Sequence, residues 1–188
     1  PTPPPVAPAS AAALIAPVSQ EDRQVNVLDG LEVFVPAGWR ILVGPQVKLF
    51  DPENAILICV ERSQSANGAA ALTKLWGAIR KEGPPAVERT IDGPDERRGY
   101  DDRVAQLYKT EAASGRILQG QGKQKGADAL AFIVDGDLNA IVKRSAQLQQ
   151  ITATLELPSM IEKEEDLSKV QPRAFSAEDA KELSRFVA

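Results

Sequence analysis

Hydrophobic and polar positions along this chain follow two different periods, and the switches between them mark out its elements. Leu-Glu-Val-Phe-Val at 31–35 is apolar at every second position, the period of a half-buried strand. Pro-Ala-Gly at 36–38 then supplies a turn, and 39–43 reads as a second strand. Val-Lys-Leu-Phe at 47–50 and Ala-Ile-Leu-Ile-Cys-Val at 55–60 flank Asp-Pro-Glu-Asn at 51–54, residue types that tight turns favour, so this pair predicts a hairpin. Next the period lengthens. Leu72, Leu75, Trp76 and Ile79 fall at i, i+3, i+4 and i+7, which predicts a helix over about 68–81, ended by Gly83-Pro84-Pro85.

Four strand candidates follow at 86–91, 103–110, 116–123 and 129–135, separated by Gly, Asp and Ser. A second helix over about 137–152 places Leu138, Ile141, Val142, Leu148 and Ile151 on one face, and Leu155 and Leu157 close the segment before Pro158. Adjacent strands joined by tight turns cannot be mostly parallel, because parallel neighbours need a crossover of roughly a dozen residues. The expected fold class is therefore α+β, a mainly antiparallel sheet with two packed helices.

The ends of the chain are different in kind. Pro and Ala dominate residues 1–17, which cannot bury enough surface to fold alone, so 1–23 is expected to be an extended tether and the folded domain to occupy 24–158. Residues 159–175, with the charged run Glu162 to Asp166, read as a solvated linker. Residues 176–188 read as an amphipathic helix and the start of a following domain. Ser176 and Asp179 form a relative of the capping box, and Leu183, Phe186 and Val187 share one face that needs a partner. The tether composition, with no initiator Met or signal sequence in front of it, points to a periplasmic or otherwise exported bacterial protein with its signal peptide removed; a cytoplasmic location is the other reading.

Composition narrows the functions open to the chain. With 188 residues, 43% of them hydrophobic, it can build one well-buried core. A net charge of -4, with basic and acidic residues mixed throughout and only five Phe, two Trp and two Tyr, argues against nucleic acid as a partner. No run of about 18 apolar residues is present, so no segment reads as a transmembrane helix. The chain has no histidine, which removes Ser-His-Asp and Cys-His catalysis and His-based zinc sites. Cys59, the single cysteine, lies in an apolar run and reads as a small buried hydrophobe.

Few residues are left as candidates for chemistry. Asp101-Asp102 and Asp135-Gly136-Asp137 could offer oxygen ligands to a hard cation, though the second pair reads more simply as a strand-to-helix turn with Asp137 as the cap. Gly120-Gln121-Gly122, followed by Lys123 and Lys125, is the nearest approach to an anion cradle, but it leads into a strand rather than a helix and is expected to be a hairpin loop. Ser65-Ala66-Asn67 and Lys109-Thr110-Glu111 echo motifs of penicillin-recognising enzymes without the nucleophile and lysine those need; Ser65 and Asn67 read as helix caps. Trp76 belongs to a helix core face, whereas Trp39 is either a core anchor or a contact for a neighbouring domain. No catalytic, cofactor-binding or metal-ligating set emerges, and Leu183, Phe186, Val187 and Trp39 stand as interaction candidates.

Two resemblances add to this. Val-Phe-Val-Pro-Ala-Gly-Trp at 33–39, Val-Lys-Leu-Phe-Asp-Pro at 47–52 and Ala-Ile-Leu-Ile at 55–58, in this element order, resemble the PsbP-like α/β/α sandwich domains over about 31–157. That resemblance implies a fold and a mostly non-catalytic role. Residues 175–187 resemble the first helix of beta-lactamase-like serine hydrolases, whose catalytic Ser-x-x-Lys tetrad is missing here. Together they imply a non-catalytic accessory domain of an envelope serine hydrolase, partnered by the hydrolase's catalytic domain or chain and shaping substrate access. The alternative is a stand-alone PsbP-like envelope protein that docks on a protein complex; a carboxylate-based hydrolase is a third reading.

Overall fold

The computed structural model describes residues 18–95 and 99–158. Among these residues nine strands and three α-helices follow one another as β1 (Arg23–Val27), β2 (Leu31–Val35), β3 (Arg40–Leu42), β4 (Val47–Phe50), β5 (Ile56–Gln64), α1 (Gly68–Ile79), β6 (Val87–Asp95), β7 (Tyr100–Tyr108), β8 (Arg116–Lys125), β9 (Asp128–Asp137), α2 (Leu138–Lys143) and α3 (Ser145–Thr154). Strands β3 to β9 form one seven-stranded sheet in the order β3-β4-β5-β9-β8-β7-β6, and β1 pairs with β2 in a separate hairpin. Every neighbouring pair is antiparallel, as the short connections require.

The sheet carries a packed layer on each side, which makes the architecture the expected α/β/α sandwich. On one side β5 and β9 present Ile56, Ile58, Val60, Leu130, Phe132 and Val134 to the β1–β2 hairpin and α3. The alternation in β2 delivers Leu31, Val33 and Val35 to this layer, each fully buried, while Glu32 faces water. On the other side Ala129, Ala131 and Ile133 of β9 meet Ala71, Leu72, Leu75 and Trp76 of α1. Trp76 Nε1 donates to Tyr108 Oη at 2.7 Å, and the two rings meet edge to face at 5.0 Å.

Tight turns explain the connections. Asp51 is fully buried, and its Oδ1 accepts from the Ile56 amide at 2.8 Å, closing the turn at 51–54 with Asn54 at φ 56°. Arg144 Nε reaches Asp51 Oδ2 at 3.1 Å from the break between α2 and α3, and Arg144 also pairs with Glu53 at 3.1 Å. The single helix expected over 137–152 is therefore two, joined at Arg144, with φ -110° and ψ 19°, where the chain turns to bring this guanidinium to a buried carboxylate. The caps are as expected at Asp137, which accepts from Asn139 and Ala140, and at Asn67, which accepts from Ala70.

The hairpin-loop expectation is corrected. Gly120 and Gly122 do not form a hairpin loop: β8 runs through both, and the turn comes later, at 126–127. They face α1, where only hydrogen atoms fit; a Cβ on Gly120 would lie 2.8 Å from Leu72 Cδ1. Residues 18–22, upstream of β1, also bond to the rest of the fold. Ser19 exchanges backbone hydrogen bonds with Gly38 and Trp39 at 2.8 Å, Val18 bridges to Arg40, and Asp22 accepts from the Ala37 amide at 2.7 Å. Among the described residues no helix is long and apolar enough to cross a membrane.

Candidate functional site

The hairpin and α3 cover only half of their side of the sheet. Register carries that face outward from the core as Val134–Gln119–Leu107–Arg89 in one row and Phe132–Gln121–Ala105–Ile91 in the next. Val134 and Phe132 are buried, whereas Gln119 is exposed, Gln121 half-buried, Leu107 37% exposed and Ile91 60% exposed. The result is a shallow trough of about 220 Å³ over β6, β7 and β8, with an apolar centre of Ile91, Ala105 and Leu107 framed by Arg89, Gln119 and Gln121. Polar residues at alternate positions of β8 are what leave it open, because no layer could be dry against two glutamines without satisfying their amides.

Lys123 marks the border of the covered half. Its Nζ is buried, donates to the Leu155 carbonyl at 2.9 Å and to Glu156 Oε1 at 2.7 Å, and lies 5.5 Å from the Tyr100 ring centroid and 5.9 Å from that of Phe132. Tyr100 Oη in turn hydrogen-bonds Glu156 and accepts from the Leu157 amide. This network ties the end of the domain to β7 and β8 beside the trough.

The two edges of the sheet are not equivalent to the open face. β6 is interrupted by register shifts between Val87 and Arg89 and between Gly93 and Asp95, and Pro94 has no N–H to offer. Such bulges and a proline blunt an edge against strand addition. At the opposite edge β3 is three residues long.

The carboxylates singled out in the sequence all have structural work. Asp102 Oδ2 accepts from the Gly68 amide at 2.7 Å at the start of α1. Asp101 accepts from the Gly126 amide at 2.8 Å and pairs with Lys125 at 3.0 Å, and these contacts, the amide first, hold its carboxyl below the ordinary value. Asp135 pairs with Arg116 at 2.7 Å, and Asp137 caps α2. No three acidic or cysteine side chains among the described residues are grouped to hold a metal ion. Cys59 is buried, and desolvation pushes its thiol up to about 11, the opposite of an activated nucleophile.

Of the interaction candidates, Trp39 goes to the core: it is fully buried and its Nε1 donates to Gln147 Oε1 at 3.1 Å, so it offers no surface to another domain. Leu183, Phe186 and Val187 lie outside the described residues, as does the stretch resembling a hydrolase helix. Sequence reasoning passes over Ile91 and Leu107. Their strands alternate like covered ones, and the signal that could have exposed them is the pair of glutamines opposite in β8.

Fold and open face together define a class, a PsbP-like α/β/α sandwich with one half-face of its sheet uncovered. Among solved structures, the solution structure of cyanobacterial PsbP (CyanoP) from Synechocystis sp. PCC 6803 superposes with a TM-score of 0.52 over 80% of this chain and 99% of that one, at 10% sequence identity. At that identity the likeness is one of fold. No protein-family model and no curated protein matches the sequence.

Proposed function

We propose that the chain is a non-catalytic docking domain that binds a protein partner through the open half-face of its sheet. The observation that carries this reading is the trough itself, where Ile91 at 60% and Leu107 at 37% exposure sit inside a polar frame on a face whose other half is fully covered. Apolar centres with polar rims are the composition of protein interfaces, and a rigid sheet presents them without ordering cost. The PsbP-like fold supports the stand-alone docking protein over an accessory domain of a serine hydrolase. Export to the bacterial envelope is part of this reading, supported by the Pro/Ala tether at residues 1–17.

Site-specific photocrosslinking in cells tests it. A benzophenone amino acid at position 91 or 107 is expected to give one discrete adduct, competed by unlabelled protein, while the same group at Thr73 or Ala78, exposed on α1 in the opposite layer, gives none. Equal adducts from both faces, or none from 91 and 107, would overturn the docking face. A captured chain carrying a Ser-x-x-Lys hydrolase motif would return the accessory-domain reading to the front.

A further inference from the structure

We propose that the cavity beneath the C-terminal end of α1, on the opposite side of the sheet from the docking trough, binds a small amphipathic anion: an apolar tail carrying a carboxylate or sulfonate head. It stands independently of the docking reading. The cavity measures about 230 Å³, and Leu57, Cys59 and Ile133 of the sheet, with Leu118, Trp76 and Ile79, make most of its wall. An apolar cavity of ~150 Å³ already admits benzene, and such walls offer water few of the partners it needs, so this one suits a tail better than solvent.

Charge decides the head group. The lining also includes Lys48, Arg80 and Asp135. Asp135 is already neutralised, because Arg116 donates to its Oδ1 from Nη2 at 2.7 Å and from Nε at 3.1 Å. Among the described residues no carboxylate lies within ion-pair distance of Lys48, and the nearest to Arg80 is Glu82, 76% exposed and 3.9 Å away. Two cations beside an apolar cavity, with the carboxylate that shares its lining already paired to Arg116, are complementary to one anionic head. Register places Lys48 beside Cys59 and Cys59 beside Ile133, so the cation stands at the end of the apolar floor where a head would emerge from a buried tail.

Sodium decanoate, below its micellar concentration, is the probe, with decyltrimethylammonium as the same tail under a cationic head. Titration followed by two-dimensional NMR is expected to show saturable decanoate binding, with shifts concentrated at the Trp76 indole N–H and the Ile79, Leu118 and Ile133 methyls. Lys48→Ala and Arg80→Ala, both at solvent-accessible positions, are expected to weaken it about tenfold each, the loss of one charge-assisted contact. Ile79→Trp is expected to abolish it by filling the cavity, with circular dichroism confirming that all three variants remain folded. Decanoate that does not saturate, binds no better than decyltrimethylammonium, perturbs residues on the β6–β8 face instead, or binds the lysine and arginine variants unchanged would overturn the proposal.

Discussion

Gly68, the first residue of α1, lies against Gly122 of β8 so closely that a Cβ on Gly122 would fall 2.0 Å from the Gly68 carbonyl oxygen. The contact is reciprocal, since a Cβ on Gly68 would fall 2.6 Å from the Gly122 oxygen. Two backbones therefore touch where α1 starts, and Asp102 of β7 holds the Gly68 amide at the same point. This contact sets the depth at which the helix lies and so the placement of Leu72, Leu75 and Trp76 on the sheet.

Gly122→Ala is accordingly expected to cost about 3 kcal/mol, because neither backbone can retreat without lifting the helix. Gly77→Ala is the control. Gly77 lies in the same helix, where an added methyl would meet nothing within 4 Å, and alanine there is expected to stabilise by about 0.5–1 kcal/mol. Urea unfolding of the two variants measures both signs; equal effects would mean that the glycine contact does not position the helix.

The same glycines show where sequence reasoning stops. Period-2 alternation locates β2, the Asp-Pro-Glu-Asn turn between two apolar runs locates β4 and β5, the helical spacing of Leu72, Leu75, Trp76 and Ile79 locates α1, and Asp137 and Asn67 are legible as caps because each acts on amides within three residues. Gly120-Gln121-Gly122 reads as a loop because glycine has the same composition in a turn as in a strand under a close helix. The break at Arg144 is illegible because its cause, Asp51, is 93 residues away. The open trough depends on β9 inserting between β5 and β8, a pairing between positions as distant as Ile56 and Gly136 that no local pattern encodes.

That long-range ion pair can be tested directly. Asp51 is fully buried and Arg144 is 14% exposed, so Arg144→Met leaves a carboxylate in the interior with its strongest partner gone. The expected loss is about 3 kcal/mol. Asp51→Asn in the Arg144→Met background should recover part of it, and a double variant no more stable than Arg144→Met alone would show that packing, not charge, dominates the site.

Acid should weaken the fold through its surface pairs. Lys143 and then Arg144 hold the Glu53 carboxyl below its ordinary 4.5, and the Gly126 amide and Lys125 hold Asp101 below its ordinary 3.8. Both groups ionise more readily folded than unfolded, so what they add to stability is present above those ordinary values and is lost as pH falls through the lowered ones. Urea midpoints measured down to about pH 3 should fall, and a Glu53→Gln, Asp101→Asn double variant should show a shallower fall over the same range.

At alkaline pH the sign reverses for Cys59. Burial raises its thiol from 9.0 to about 11, so the folded state favours the neutral form and stability is lost as pH rises across that interval. Iodoacetamide at about pH 8 should label the native protein far more slowly than the urea-unfolded chain, since both access and thiolate are suppressed. Comparable rates would place the thiol outside the core.

A surface kept for a partner should be expendable for folding, and two isoleucines on opposite faces of one sheet separate these roles. Ile91 is 60% exposed in the trough, whereas Ile133, 2% exposed, is packed beneath α1. Ile91→Ser is expected to change stability by about 0.5 kcal/mol or less, and Ile133→Ser to cost about 3–4 kcal/mol through lost burial and a buried hydroxyl. That outcome would mean that folding gains almost nothing from Ile91. If Ile91→Ser instead proved as destabilising as a core change, the trough would be an internal surface covered by part of this same chain, and crosslinks from position 91 would be intramolecular.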